Sequence, residues 1–208
     1  MDGLDVLSLP EAKEALNLTA VATHDGELPK WITTVSRRLD RLCGPVVQRT
    51  VTSEKHDGGA RRVFLRHHPN TSITSIVEYD GTVATTLTAE TNATKPAHGY
   101  LAEDYEPDPS LLSSIVYRRS SGADATFTPG RKNVAVTYMA GRFSDAASVD
   151  ERYKTAARLM LLNLWRSQQD GTGLVSEFDV PQSNFPRFAV PRAVRELLDG
   201  EIQDPMPL

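Results

Sequence analysis

Residues 130–143 read GRKNVAVTYMAGRF. From Val134 to Ala140 the run is apolar or β-branched, the mark of a strand, and Gly141 stops it. Within a few residues the chain turns helical, in SVDERYKTAARLMLLNLWRSQQ (residues 148–169). Tyr153, Ala156, Ala157, Met160, Leu161, Leu164 and Trp165 fall at three- and four-residue steps there, with Leu159 and Leu162 on the flank. A helix apolar over so much of its girth has to be buried against several neighbours. Ser148 and Glu151 have capping-box spacing at its start. The expectation is that Gly141 permits a sharp exit from the strand, so that a β-region is hinged to a helical core. No catalytic group lies in the joint, and its role is architectural.

Working outward, two helices precede the β-region. SLPEAKEAL carries a capping box, Ser8 with Glu11, and Pro10 in the first turn. ELPKWITTVSRRLDRLCGP places Leu28, Trp31, Ile32, Val35, Leu39 and Leu42 on one stripe, with Lys30, Arg37, Arg38 and Arg41 on other faces. Gly44 and Pro45 end it. Between them and the joint, Thr- and Val-rich segments alternate with turns. VVQRTVTSEK and RRVFLR flank HDGGA, a hairpin signal. SITSIVEY and TVATTLTAE flank DG, a second one. GYLAEDYEPD, LLSSIVYRR and NVAVTYMA supply further strands around SSGAD and TPGRK. After the apolar helix, DGTGLVSEFDVPQSNFP reads as a loop. VPRAVRELLDG reads as a short helix with Pro191 at its first position, and EIQDPMPL as an extended tail.

The fold class expected is α+β: a small helical core of about four helices with a large antiparallel β-rich insert between the second and third helices. Residues 1–45 and 141–169 form the core, 46–140 the insert, and 170–208 a loop, short helix and tail. The chain has 208 residues, which suits one domain with an inserted subdomain. A net charge of −4 argues against nucleic-acid binding by bulk electrostatics. The one cysteine, Cys43, excludes an intrachain disulfide, and its place on a helical stripe makes it a core thiol. The N-terminus has no basic start or long apolar run, so neither a signal peptide nor a membrane span is expected.

Candidate chemistry is sparse. His67 and His68 are adjacent and would point to opposite faces of a strand, so they cannot chelate one metal together. His24, His56 and His98 fall in connectors or turns. Glu103, Asp104, Glu106 and Asp108 cluster in AEDYEPDPS, but without the loop spacing and glycine of a calcium hand. A charged turn is the plainer reading. No motif for a nucleophile elbow, a phosphate loop, a dinucleotide fold or a zinc helix is present, and Asn92–Thr94 matches only a glycosylation triplet. Neither a catalytic residue nor a metal or other cofactor is expected. Arg118, Arg119, Arg131 and Lys132 form the best basic cluster. They are either solvated strand ends or an edge facing DNA or an acidic partner.

Taken in order, EAKEAL, RLCGPVVQRTVT, VFLRHHPNTSITSIVEYDG, EDYEPD, FTPGRKNVAVTYMAGRF and AARLMLLNLWRSQQ resemble the head–tail connector (adaptor, or head-completion) proteins of long-tailed bacteriophages. They are most similar to the versions in phages of actinobacteria, over roughly Leu9 to Leu198. The resemblance implies a non-enzymatic virion protein, assembled in the host cytoplasm, with no active site to carry over. It implies a dodecameric ring of identical copies beneath the portal protein, with packaged double-stranded DNA passing through. It also implies a surface for the next neck protein, a stopper or tail-completion protein, and no membrane partner. Connectors of this kind grip the portal with C-terminal segments. The resemblance places that role on Phe185, Arg187, Phe188, Val190, Arg192, Val194, Arg195, Leu197 and Leu198, whose apolar members must otherwise be buried on their own subunit. Two alternatives compete: another neck or tail protein (a stopper or tail terminator), and an enzyme using the Glu103–Asp108 acids, on a glycan for instance. Stoppers are mostly β, and the acids lack a convergent His, Ser or Cys partner.

Overall fold

The computed structural model describes residues 2–105, 108–169 and 190–202. It is a mixed α+β structure that divides into two compact units, Met1–Val47 with Phe143–Leu208, and Gln48–Arg142.

The first unit is helical, with α1 (Leu9–Ala15), α2 (Leu28–Cys43), α3 (Glu151–Gln169) and α4 (Arg192–Leu197). The capping box starts α1: the Ser8 amide donates to Glu11 Oε2 at 2.7 Å and the Glu11 amide to Ser8 Oγ at 3.4 Å. Burial pushes the Glu11 carboxyl up, but donors on Lys154 and Ser8 outweigh it and hold the pKa at about 2. The Lys154 ammonium lies 2.9 Å away and ties α1 to α3. Along α2 the buried residues are Leu28, Ile32, Val35, Ser36, Leu39 and Cys43, with Trp31 and Leu42 half-buried beside them. Ser36 Oγ accepts from the Val6 amide at 2.9 Å, fixing the segment before α1. α3 buries Tyr153, Ala156, Ala157, Met160 and Leu161 and touches α1, α2 and α4. The small pair Ala156 and Ala157 lets it sit close to its neighbours. Farther along, the half-buried Trp165 meets Trp31 and His24 edge-on, at 5.5 and 4.9 Å between ring centroids.

One expected cap is replaced. Ser148 does not cap α3; its amide donates to Asp145 Oδ1 at 2.9 Å. Asp150 takes the position instead, its Oδ1 accepting from the Arg152 amide at 2.8 Å. A serine that closes its own turn has no lone pair aimed at the helix amides.

The second unit is one eight-stranded sheet. Its strands are β1 (Arg49–His56), β2 (Arg62–Phe64), β3 (Asn70–Asp80), β4 (Val83–Ala89), β5 (Gly99–Tyr105), β6 (Asp108–Ser120), β7 (Ala123–Asp124) and β8 (Val134–Ala140). The order is β1-β8-β3-β4-β5-β6-β2, with β7 on β6. All pairs are antiparallel except β4–β5, where Thr88 and Ala89 meet Gly99 and Tyr100 in parallel. A further pairing, Asn70 with Leu112, returns β6 to β3 and closes β3-β4-β5-β6 into a circuit. The strand in GRKNVAVTYMAGRF is β8, between β1 and β3, with Val134, Val136, Tyr138 and Ala140 fully buried. A strand flanked on both edges and covered on its faces needs this near-continuous apolar run. Gly141 leaves it at φ 124°, a conformation L side chains rarely adopt, and its amide donates to Pro69 O at 2.9 Å.

The second hairpin signal is a hairpin: β3 and β4 meet through Gly81 and Thr82, with Asp80 opposite Val83. The first is not. β1 pairs with β8 and β2 with β6. The glycines of HDGGA serve close approach instead. The Gly58 amide donates to Gly130 O at 2.9 Å and the Gly59 amide to Phe127 O at 3.0 Å. A Cβ on Gly58 would stand 1.9 Å from the Thr128 carbonyl oxygen.

Gly58→Ala therefore forces the two loops apart, and urea unfolding should show a loss of about 2–3 kcal/mol. Gly26→Ala, with nothing within 4 Å of the new methyl, should be close to neutral. Equal stability of the two variants would show that the loop contact carries no weight.

Candidate functional site

The four cations of the expected basic cluster do not share a surface. Arg118 is 7% exposed near the end of β6. Its Nη2 stands 2.7 Å from Glu78 Oε1 on β3 and its Nε 3.2 Å from the same oxygen. Nη1 donates to the Gly99 carbonyl at 3.3 Å and also to the Arg119 carbonyl. The other Glu78 oxygen accepts from the Thr128 amide at 3.1 Å. Burial raises the Glu78 pKa, but Arg118 and Thr128 outweigh it and the carboxyl stays below its ordinary value. Arg119, on the opposite side of the strand, pairs with Glu90 at 3.1 Å and with Asp124. Lys95 reaches the second Glu90 oxygen at 2.8 Å. Hydrogen bonds from Lys95 and Arg119 hold the Glu90 pKa down. Both arginines are thus neutralised inside the sheet unit. Arg131 and Lys132 are exposed in the loop before β8, where the Lys132 amide donates to Asp57 Oδ1 at 2.6 Å.

Beside Arg118 lies a cleft of about 330 Å³ lined by Ala60, Arg61, Arg62, Tyr117, Arg118 and Asp124. Arg61 stands 3.9 Å from Asp124, and Arg62 lies over the half-exposed Phe64 ring at 5.1 Å. The cleft has no nucleophile paired with a base; Arg61, Arg62 and Arg118 line it with Asp124 as the one carboxylate, and Asp124 is also paired with Arg119.

The C-terminal segment divides in three. Phe185, Arg187 and Phe188 lie outside the described residues. Val194 and Leu198 are fully buried in the helical core, with Val190 and Leu197 packed against it. Arg192 and Arg195 are exposed, and Arg192 Nε reaches Glu196 Oε1 at 2.7 Å on the outer face of α4. A helix of six residues has no stability of its own in water, and α4 exists because its apolar side docks. Pro191 precedes the helix as its cap residue and is not its first residue.

Of the acidic segment, Glu103 and Asp104 are exposed at the end of β5. Asp108 opens β6 and accepts from the Ser110 hydroxyl and amide at 2.6 and 3.0 Å, which lowers its pKa. Glu106 lies outside the described residues. His67 and His68 occupy a bend between β2 and β3, not a strand. His68 titrates below its ordinary value through burial, with Arg142 and His67 adding to it. Among the described residues, no three of His, Cys, Asp and Glu gather where a metal ion could sit. No helix among them is long and apolar enough to cross a membrane.

Sequence reasoning did not single out the polar centre in the sheet core. Glu54 on β1 is 7% exposed. One oxygen accepts from the Tyr138 hydroxyl at 2.7 Å; the other accepts from the Arg66 amide at 3.0 Å and lies 2.8 Å from His56 Nε2. The Tyr138 hydroxyl in turn accepts from the His67 amide at 3.2 Å. Desolvation opposes the charge, yet His56, Tyr138 and the Arg66 amide bring the Glu54 pKa down to about 2. Burial, with Glu54 beside it, raises that of Tyr138. The group is a carboxylate held ionised by fixed donors, with every oxygen engaged. Strict alternation from Arg49 and Val51 would turn Glu54 outward; a register shift between Val51 and Glu54, with Ser53 at φ 54°, turns it inward, so the local pattern carried no signal for it.

Comparison with known proteins gives one kind of relation. No family model matches the chain, and no curated protein matches it. Among solved structures it is similar to a chain in "Neck of empty GTA particle computed with C6 symmetry". The TM-score is 0.57 at 14% identity, over 97% of this chain and 92% of the other. At that identity the likeness is one of fold, and it spans the helices and the large sheet alike.

Two predictions test the internal charges. Arg118→Met leaves Glu78 buried without its main partner and should cost about 3–5 kcal/mol in chemical denaturation; an unchanged midpoint would place the pair in solvent. For Glu54 the folded pKa lies below the unfolded one. Its contribution is complete above the ordinary value of 4.5 and is lost as pH falls toward about 2. Glu54→Gln should therefore be less stable at neutral pH and lose less of its stability between those limits than the wild type. Parallel pH profiles would refute the assignment.

Proposed function

We propose that this chain is a structural protein of a virion neck, a head-to-tail connector that sits as a ring beneath a portal protein. In this reading it extends the DNA channel and offers a docking surface to the next neck protein, a stopper or tail-completion protein. The observation that carries the reading is the near-full-length fold likeness to a chain of a particle neck, through both the helical and the sheet unit. The order of sequence motifs points the same way. That neck was computed with C6 symmetry. A hexamer and a dodecamer both obey a sixfold axis, and the dodecamer is the state the connector resemblance favours. The buried glutamates fit a scaffold, since each is already neutralised by its own donors and none is poised for acid–base work.

The portal contact is assigned to the C-terminal segment, with one restriction from the geometry. Val194 and Leu198 hold α4 to its own core, so of the residues named for the portal on this helix those left exposed for a partner are Arg192 and Arg195. An exposed pair such as Arg192–Glu196 contributes little stability, and its arginine is free to exchange onto an acidic portal surface.

The test is native mass spectrometry of the full chain with and without its portal ring. The chain alone should be a monomer or weakly associated at micromolar concentration, and bound copies should appear on the portal. Arg192→Glu with Arg195→Glu should weaken portal binding by about tenfold or more at an unchanged melting temperature. A chain that ignores the portal would sink the connector reading; undiminished binding by the double variant would move the contact elsewhere.

A further inference from the structure

α2 has two opposed faces. At about 100° per residue, Leu28, Ile32, Val35, Leu39 and Cys43 fall in one arc, and all are buried. Lys30, Thr34, Arg37 and Arg41 fall in the opposite arc, and all are exposed. Their spacing keeps three cations in line over about 16 Å of helix. The only carboxylate in α2, Asp40, turns back to accept from the Val46 amide at 3.0 Å. Arg37 meets Asp2 only at 3.8 Å, with 72% of its side chain exposed. Among the described residues neither Lys30 nor Arg41 reaches a carboxylate. In a chain of net charge −4, a helix face bearing cations alone is a local departure.

The same chain carries the complementary surface. At the far end of the β5–β6 pair, register shifts on both sides of Asp104 interrupt the ladder. Glu103 and Asp104 are exposed there, and neither has a cation partner among the described residues.

We infer that the outer face of α2 is the docking surface for the Glu103–Asp104 end of the β5–β6 hairpin of a second copy. The inference rests on the ring reading above. A ring subunit meets its neighbours through two different surfaces that fit each other, and here the two belong to different units of one chain. Duplex DNA would also satisfy the α2 cations, but it would leave the acidic hairpin end without a role; a second copy uses both. Contacts of this kind set orientation and partner choice more than affinity, and salt screens them.

The experiment mixes ¹⁴N- and ¹⁵N-labelled full-length protein at low salt and applies a carbodiimide, which joins an amine to a carboxylate in direct contact. The expected product is a mixed-isotope peptide linking Lys30 to Glu103 or Asp104. Arg37→Glu with Arg41→Glu should lower its yield by about tenfold. Adding Glu103→Lys and Asp104→Lys to that variant should restore self-association in sedimentation. All these positions are exposed, and thermal melts check that folding is intact. Absence of the link up to millimolar concentration overturns the proposal, as does a fourfold variant that stays dissociated. So does an α2 variant that loses a duplex DNA probe while its self-association is unchanged, which would turn the stripe toward DNA. Portal binding by the wild type is scored separately, so failure of this contact and failure of the connector reading are told apart.

Discussion

A buried carboxylate must bring its donors with it, and that constraint orders the sheet unit. Glu54, Glu78 and Glu90 are 7%, 4% and 8% exposed. Their donors come from other segments: Tyr138 of β8 and the Arg66 amide for Glu54, Arg118 of β6 and the Thr128 amide for Glu78, Lys95 and Arg119 for Glu90. A strand displaced by one residue would turn its side chains to the other face and strand a charge in the core. The three glutamates therefore select one register for β1 on β8 and hold β6 to β3 and to the segment after β4. Replacing such pairs with apolar residues could leave stability equal or higher. Their contribution is the exclusion of wrong pairings in a sheet whose Thr- and Ser-rich faces specify register weakly.

This also marks where the sequence stops being legible. Period and capping are local, and the local elements were readable: the α2 stripe from Leu28 to Leu39, the Ser8–Glu11 box, the turn after Asp80, and the mixed α+β class. Strand partners are not local. HDGGA reads as a hairpin because glycines beside Asp usually turn a chain. Here they are needed because the Phe127–Gly130 backbone passes within hydrogen-bonding distance. Arg118 and Arg119 read as solvated strand ends or a DNA-facing edge because their glutamates are 40 and 29 residues away. Ser148 had the spacing of a cap but its lone pairs were taken by a nearer turn. In each case a tertiary or competing local partner claimed a group whose local pattern suggested another use.

The charges left outside differ from those inside. Arg118 and Arg119 are fixed by several bonds and cannot be offered to a partner without unfavourable desolvated gaps behind them. Lys30, Arg37 and Arg41 are held by almost nothing, as are Glu103 and Asp104. The sequence singled out Arg118 and Arg119 within a basic cluster and left Lys30, Arg37 and Arg41 as an ordinary polar helix face; the structure buries Arg118, half-buries Arg119 and leaves the second set exposed. Only burial distinguishes them.

The exposed apolar groups favour assembly through polar contacts as well. Val21, Phe64, Tyr79, Val83 and Ile202 are the large hydrophobics exposed among the described residues, and only Tyr79 and Val83 flank one turn. An obligate interface would need a continuous apolar surface, which a lone chain would carry at the risk of aggregation. A subunit that has to wait in solution and close into a ring only on a template is better served by charged contacts that are weak singly. Once neighbours are held on a common ring, each further contact forms at high effective concentration, and closure gathers weak pairs into a stable assembly. On the connector reading proposed above, the same chain would be monomeric in dilute solution and firmly held once its neighbours are in place.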